Sequence, residues 1–428
     1  MTLRMSERRT SIIGAFLVAL GPVSMALYTP AMPELVRAFA TSEAAIKMTL
    51  SLYFGGFAFA QLVSGTLSDV IGRRSSTLIF MAIYLAGSLM AAFAPSVGVL
   101  LAGRLVQGAG ASVGMTVARA IVRDQFTGTP AARIMNMIGM MLALGPAVSP
   151  TLGGIALGLF GWQSIFFLMV GFALMACFIV QFFMVETVTP DRSKGHLRPI
   201  LRAYGELLTD SRFLSSTLVI AGAVGALYAQ ATMLPFVLID QVGLTPTQFG
   251  VGMLMQSGLF FSGTVTVRLL MRRFSPQGLV PAGLCFIGAA SLLLAITMHV
   301  LPPSFLSVMG PVGIYAFGIA FVMPYMMTGA MAPFPHIAGT ASAMMGFIQM
   351  SAGLFGGALA ALVGVPAVAL GTIIPGFGLA AIVSYFWYRN TVRARPLCAP
   401  AASDDKLREA EGEGEPHMKK PRQVARRG

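Results

Sequence analysis

Apolar runs of about twenty residues recur along nearly the whole chain, and a helix of that length crosses a hydrocarbon layer about 30 Å thick. Twelve such runs lie near residues 11–32, 48–67, 76–94, 98–118, 133–157, 164–185, 213–236, 248–268, 278–298, 305–327, 340–362 and 367–388. Inside lipid no water reaches the backbone, so each run must satisfy its N–H and C=O groups internally, as a helix. Composition agrees: 56% of the 428 residues are hydrophobic and 11% are charged, too few charges to cover a soluble surface of this size. The first run follows Arg4, Arg8 and Arg9 like a secretory signal, but it is long and further runs follow, so it is read as an uncleaved first helix. The expected fold class is an all-α membrane protein of twelve transmembrane helices.

The longest polar interruption, Glu186 to Arg212, carries Pro190, Asp191, Arg192, Lys194, Gly195 and Pro199 and divides the runs six and six. The expected organisation is an N-terminal half over 1–188, a cytoplasmic linker over 189–212, a C-terminal half over 213–396 and a disordered cytoplasmic tail over 397–428, acidic and then basic. A weak internal repeat supports two six-helix pseudo-repeats. The stretch Gly65-Thr-Leu-Ser-Asp-Val-Ile-Gly-Arg-Arg74, between runs two and three, is echoed by Gly263 to Arg273 after run eight, with Val267 where Asp69 would stand. The net charge of +13 would suit a nucleic-acid partner, but its distribution does not. With the N-terminus inside, Arg37 and Lys47 fall in outer loops, Arg104 falls within a run, and every other Lys and Arg falls on the inner side. Both termini are therefore expected in the cytoplasm, with no nucleic acid bound. Cys177, Cys285 and Cys398 are far apart, with neither a disulfide frame nor metal spacing, and no cofactor is expected. His196, His299, His336 and His417 fall in loops or the tail, so no catalytic or metal-binding cluster is expected inside the runs and the chain is not read as an enzyme.

Three stretches carry chemistry. In the first hinge, Gly65 and Gly72 are expected to permit close approach and a sharp turn, while Asp69, Arg73 and Arg74 place charge where the chain leaves the lipid. Arg104 sits inside the fourth run, where a cation is expensive and marks a functional candidate, unless it snorkels to the outer edge. Gly108, Gly110 and Gly114 beside it form a small face for helix packing. In the fifth run, Gly145-Pro-Ala-Val-Ser-Pro150-Thr-Leu-Gly-Gly154, the residues Gly145, Pro146, Pro150, Gly153 and Gly154 are the candidate kink, with Gly154 and Gly158 spaced for a neighbour.

On these stretches the chain resembles the major facilitator superfamily. The hinge looks like its loop between helices two and three. Arg104-Leu-Val-Gln-Gly-Ala-Gly-Ala111 resembles its R-x-x-Q-G-x-G-A motif in helix four. The fifth run resembles its antiporter motif, with Ser149 at the second Gly. Ala118 to Asp124, Tyr28 to Pro33 and Ala332 to Ala343 narrow the resemblance to the Bcr/CflA branch of multidrug efflux transporters, over about residues 10–390.

The resemblance implies a central cavity lined by spans one, four, seven and ten, and proton-driven export of small amphipathic compounds. It also implies a cytoplasmic latch between the halves made by Asp69, Arg73 and Arg74, and proton coupling through Arg104. Ser24 and Tyr28 fit the branch's first-helix pattern, but Ala26 stands where that pattern has a membrane-embedded Asp. Glu34, near the outer edge, is the candidate replacement. Expected cavity contacts are Met25, Tyr28, Gln107, Ser112, Tyr228, Gln230, Tyr315, Phe317 and Met323. A cavity holding Arg104 and no acid is positive, which favours neutral or weakly acidic substrates. The expected setting is a monomer in a bacterial inner membrane, with substrate, protons and lipid as partners. A metabolite or siderophore exporter of the same fold and a non-transporting receptor or scaffold are the alternatives.

Overall fold

The computed structural model describes residues 5–191 and 197–394, and the tail expected over 397–428 lies outside the described residues. Helix α1 (Glu7–Tyr28) runs through a 3-10 turn, Thr29–Ala31, into α2 (Met32–Ala38). The turn falls at Pro30, which has no N–H to continue the α-helical ladder. There follow α3 (Glu43–Ile71), α4 (Arg73–Ala92), α5 (Val97–Ala111), α6 (Val113–Gln125), α7 (Gly128–Phe160) and α8 (Gln163–Phe183). A short helix, α9 (Leu197–Thr209), precedes α10 (Ser211–Ala231), a π-helical turn at Phe236–Gln241, α11 (Pro246–Leu270), α12 (Pro276–Val300), α13 (Phe305–Met331), α14 (Ala338–Val363) and α15 (Pro366–Ala394). Side-chain caps mark several entries: the Ser42 hydroxyl accepts from the Ala45 N–H, and Thr245 with Gln248 forms a capping box at the start of α11.

Among the described residues eleven helical spans, α1–α2 and α5–α6 each counting as one, are long and apolar enough to cross a membrane. The expected eighth span, α11, has 25 residues but is not among them. The reason is its exposed and cavity-facing polar side chains, Gln256, Ser257, Ser262, Thr264 and Thr266. They dilute a helix that nonetheless packs along α7 and α13. The α3–α4 turn is made by Gly72, whose φ of 95° is open to glycine and strained for most other residues. Gly65 was expected to share that turn. It lies inside α3, with open space where a Cβ would be, and takes no part in a close approach.

Two cores form. One gathers Leu17, Leu50, Phe57, Tyr84 and Phe166 from α1 to α8; the other gathers Val219, Ile287, Val312, Met326 and Ala381 from α10 to α15. They meet along two seams, α3 against α14 and α7 against α11. In the second seam the backbones touch. A Cβ on Gly154 would fall on the Pro246 carbonyl oxygen, and one on Gly250 on the Pro150 carbonyl oxygen. Gly153 meets Leu27 of α1 in the same way, whereas Gly158, expected to extend this face, has nothing near it. Pro146 and Pro150 are accommodated within one continuous α7.

The polar interruption between the halves is not bare chain. It contains α9, a 13-residue helix with Leu207 buried and Arg198 and Arg202 exposed. The Tyr204 hydroxyl donates to the Leu62 carbonyl at 2.7 Å, tying this helix to α3. Burial pushes the Tyr204 phenol up to about 12, so it remains a donor at neutral pH. In the echo of the hinge, Val267 is buried against Leu279 and Phe321, an apolar contact where the first hinge has its carboxylate.

Candidate functional site

A cavity of ≈ 340 Å³ lies between the two cores, walled by α1, α3, α6 and α7 on one side and α10, α11, α13 and α14 on the other. Helical spacing selects its lining: Pro22, Met25 and Ala26 of α1 and Thr29 beyond it; Phe249, Met253, Gln256, Ser257 and Phe260 of α11; Ala316, Ile319, Met323 and Met327 of α13. Met115, Met345 and Met350 bring the wall's methionines to seven, a deformable apolar surface. Polar groups are sparse and mostly uncharged, among them Gln61, Tyr228, Gln230, Ser342 and Gln349. Among the described residues one charged side chain lines the cavity, Arg119 of α6, whose Nη1 donates to the Ser342 hydroxyl of α14 at 2.7 Å. Among the described residues no carboxylate lines it, and Ala26 occupies the wall where the resemblance would put an Asp.

Arg104 is elsewhere. It neither snorkels outward nor faces the cavity, but is wholly buried in the first core. Its guanidinium carbon lies 4.2 Å from the Tyr28 ring centroid and 4.4 Å from that of Tyr53. Nη1 donates to the Gln107 amide oxygen, and the Gln107 amide in turn donates to the Ser88 hydroxyl at 2.7 Å. Tyr28 shares a 2.6 Å hydrogen bond with Thr49, Tyr53 donates to the Gly21 carbonyl at 3.0 Å, and Ser24 pairs with Tyr84. Among the described residues no carboxylate pairs with Arg104, and its Nε and Nη2 have no hydrogen-bond partner. The aromatic faces do the work of a counter-charge: desolvated cation–π contacts are each worth about 2 kcal/mol. Close packing closes the cage, because a Cβ on Gly108 would fall on the Tyr53 carbonyl oxygen.

The hinge charges form a third group. Arg73 is buried and reaches Asp69 at 2.5 Å, Asp124 at 3.0 Å and the Ser68 hydroxyl at 2.5 Å. Glu186, just beyond α8, accepts from the Arg73 and Arg74 N–H groups at 2.6 and 3.1 Å, an anion on the N-terminus of α4. The Arg74 guanidinium donates to the Gln181 carbonyl at 2.5 Å. These partners all belong to the first core's chain. The cluster therefore fastens the ends of α3, α4, α6 and α8 to one another, and the hydrogen bonds and ion pairs of these side chains among the described residues do not form the latch expected between the halves. Among the described residues, Arg119 bonds Ser342 across the halves, and Tyr204 of the linker helix bonds Leu62 of α3.

Of the nine expected cavity contacts, Met25, Tyr228, Gln230 and Met323 line the cavity. Tyr28 and Gln107 belong to the Arg104 cage, and Ser112, at the end of α5, bonds the Ala109 carbonyl. Tyr315 donates to the Gly222 carbonyl at 3.0 Å inside the second core, and Phe317 packs on Phe286 and Phe321. Glu34 is half-buried in the first turn of α2, off the cavity wall. Sequence reasoning missed Arg119, Gln61 and Gln256. The signal for Arg119 lay in Ala118 to Asp124, but the fourth apolar run ends near residue 118, whereas α6 continues to Gln125.

A family model described as Major Facilitator Superfamily matches residues 12–357. The uncharacterized MFS-type transporter YdgK of Bacillus subtilis (strain 168) is 29% identical over 373 residues, covering 84% of this chain and 90% of that protein. Multidrug resistance protein MdtL of Klebsiella pneumoniae (strain 342) is 26% identical over 353 residues, 82% of this chain and 88% of its own. Multidrug resistance protein D of Escherichia coli (strain K12) is 25% identical over 339 residues, 78% and 83%. Among solved structures, the human organic anion transporter MFSD10 superposes with a TM-score of 0.65 at 18% identity, over 90% of this chain and 100% of that one. A D-xylose-proton symporter superposes with a TM-score of 0.66 at 15% identity, over 90% and 98%. At those identities the two structures speak to the fold alone.

Proposed function

Because the chain belongs to the Major Facilitator Superfamily, we propose that it is a secondary active transporter that exports small amphipathic compounds by alternating access. The observation that carries this reading is the methionine-rich cavity held between two separately packed cores, with wall residues from both. Such a wall repacks around unlike ligands, as broad drug efflux requires. Relatives named as multidrug resistance proteins support the same substrate class.

The protein is a multi-pass membrane protein. Its proposed setting is a bacterial inner membrane, as a monomer with both termini and the Gly72 turn facing the cytoplasm. Residues 1–188 and 213–396 are the two moving bodies and 189–212 joins them. The gating group is the Gly65 to Arg74 stretch: Asp69, Arg73 and Arg74 hold the cytoplasmic ends of the first body rigid, so that it rocks as a unit. Opening toward the cytoplasm breaks the Arg119–Ser342 hydrogen bond between the bodies and frees Tyr204 of the joining helix from Leu62. Protons are the proposed coupling ion. With no acid on the cavity wall, coupling runs through groups apart from the substrate surface, and Arg104 and Glu34 are the candidates.

The test is accumulation of a neutral amphipathic antibiotic in inside-out vesicles carrying the protein, with and without an uncoupler. Uptake that collapses with the proton gradient is expected. Uptake insensitive to the gradient would remove proton coupling, and no uptake of any amphipathic probe would remove the exporter reading.

A further inference from the structure

Arg119 is unlike every other group on the cavity wall. It alone is charged among the described residues that line the cavity, and its cross-core partner Ser342 is a neutral hydroxyl. No carboxylate among the described residues lies within ion-pair distance of it. An uncompensated guanidinium in a membrane-spanning helix costs several kcal/mol unless something answers its charge. Arg104 is answered by tyrosine faces and Arg73 by two carboxylates. For Arg119 the open side is the cavity.

We propose that Arg119 is the anchor for the anionic group of the substrate, and that the preferred substrates are amphipathic carboxylates or other monoanions. This rests on the exporter reading above and deepens it. A carboxylate entering the cavity takes the guanidinium from Ser342 and forms charge-assisted, bidentate hydrogen bonds with it. The apolar body of the molecule then lies on the methionine wall formed by residues such as Met115, Met253 and Met345. Gln61 and Gln256 have amide oxygens without a hydrogen-bond partner, leaving polar capacity for the remaining groups of the ligand. Because Ser342 belongs to the second core, an anion at Arg119 also removes a bridge between the halves, so occupancy and opening are linked at one atom pair.

The experiment uses two probes that differ in one group, a dansyl-labelled fatty acid and its methyl ester. Each is titrated by fluorescence into the full-length protein in nanodiscs of zwitterionic lipid, with empty nanodiscs subtracted. The acid is expected to bind about ten- to hundredfold more tightly than the ester, the range a hydrogen bond to a charged group supplies. Arg119→Gln should lower the acid to the affinity of the ester, and Arg119→Lys should restore part of the difference. Ser342→Ala, which leaves the guanidinium in place, should strengthen acid binding a few-fold and guards against a misfolded Arg119 variant. Equal binding of acid and ester to the wild type, or full acid binding by Arg119→Gln, overturns the anchor while leaving the exporter reading intact. Binding of neither probe to the wild type overturns both.

Discussion

Arg104 and Arg119 lie on the paired helices α5 and α6 and belong to one membrane span, yet their surroundings are opposite. Arg104 is sealed between the rings of Tyr28 and Tyr53, with an amide as its hydrogen-bond partner. Arg119 opens on the cavity and crosses to the other core through a hydroxyl. The difference teaches that a cation inside a span reports only that its cost is met. Where it is met by aromatic faces, the charge belongs to the architecture. Where it is met by a cavity, the charge is available to whatever enters.

Substitutions can break or sharpen that contrast. The largest loss is expected for Arg104→Ala, which removes two desolvated cation–π contacts and leaves a hole in the core. It should destabilise the protein by about 3 kcal/mol, seen as a lower melting temperature in detergent. An unchanged melting temperature would mean that the cage is not structural. Gly108→Ala attacks the same cage from its backbone side. The new methyl group must push α5 from α3, at a cost of about 2 kcal/mol, and the tyrosine fluorescence around Arg104 should change with it. A third arginine calibrates the pair. Arg73→Ala leaves Asp69 and Asp124 without their cation, and because those carboxylates are partly solvated the cost should be about 1–2 kcal/mol, measured by the same melt. Arg119→Gln should be the smallest in stability, within about 1 kcal/mol of wild type, since it loses a hydrogen bond while shedding a charge. A loss for Arg119→Gln as large as that for Arg104→Ala would erase the distinction between the two sites.

Much of this was readable in the residues, and the failures have physical causes. Length and apolarity located the helices because lipid leaves the backbone no alternative to internal hydrogen bonding. The same criterion faltered at α11, where one face of the helix serves the cavity and must be less apolar. Gly72 was legible as a turn because the charges of Arg73 and Arg74 follow it directly, whereas Gly65 carried no such marker and turned out to be mid-helix. Arg104 was expected inside a span and is buried there, but behind the cavity wall rather than on it. Sequence shows that a residue is within a helix, while the neighbour it faces is decided by tertiary packing. Tyr28 and Met25 make the same point on α1: three residues apart in sequence, they part company because Met25 shares a stripe with Pro22, Ala26 and Thr29, and Tyr28 points at Arg104. Arg119 was hidden for a simpler reason, since its helix runs deeper toward the hinge than the apolar run that announces it.

The bare backbone contacts of Gly154 with Pro246 and of Gly250 with Pro150, between α7 and α11, have a mechanical meaning. With no side chains between them, the two backbones form a fulcrum near one end of α11, and the rest of that helix is the lever arm. At 1.5 Å per residue, the stretch from Gly250 to Leu270 is about 30 Å long, so a tilt of about 10° at the glycines would swing the far end by about 5 Å. A single methyl group at either glycine would therefore do more than crowd a seam: it would shift the pivot itself, and with it the arc that the opposite end of the molecule can travel.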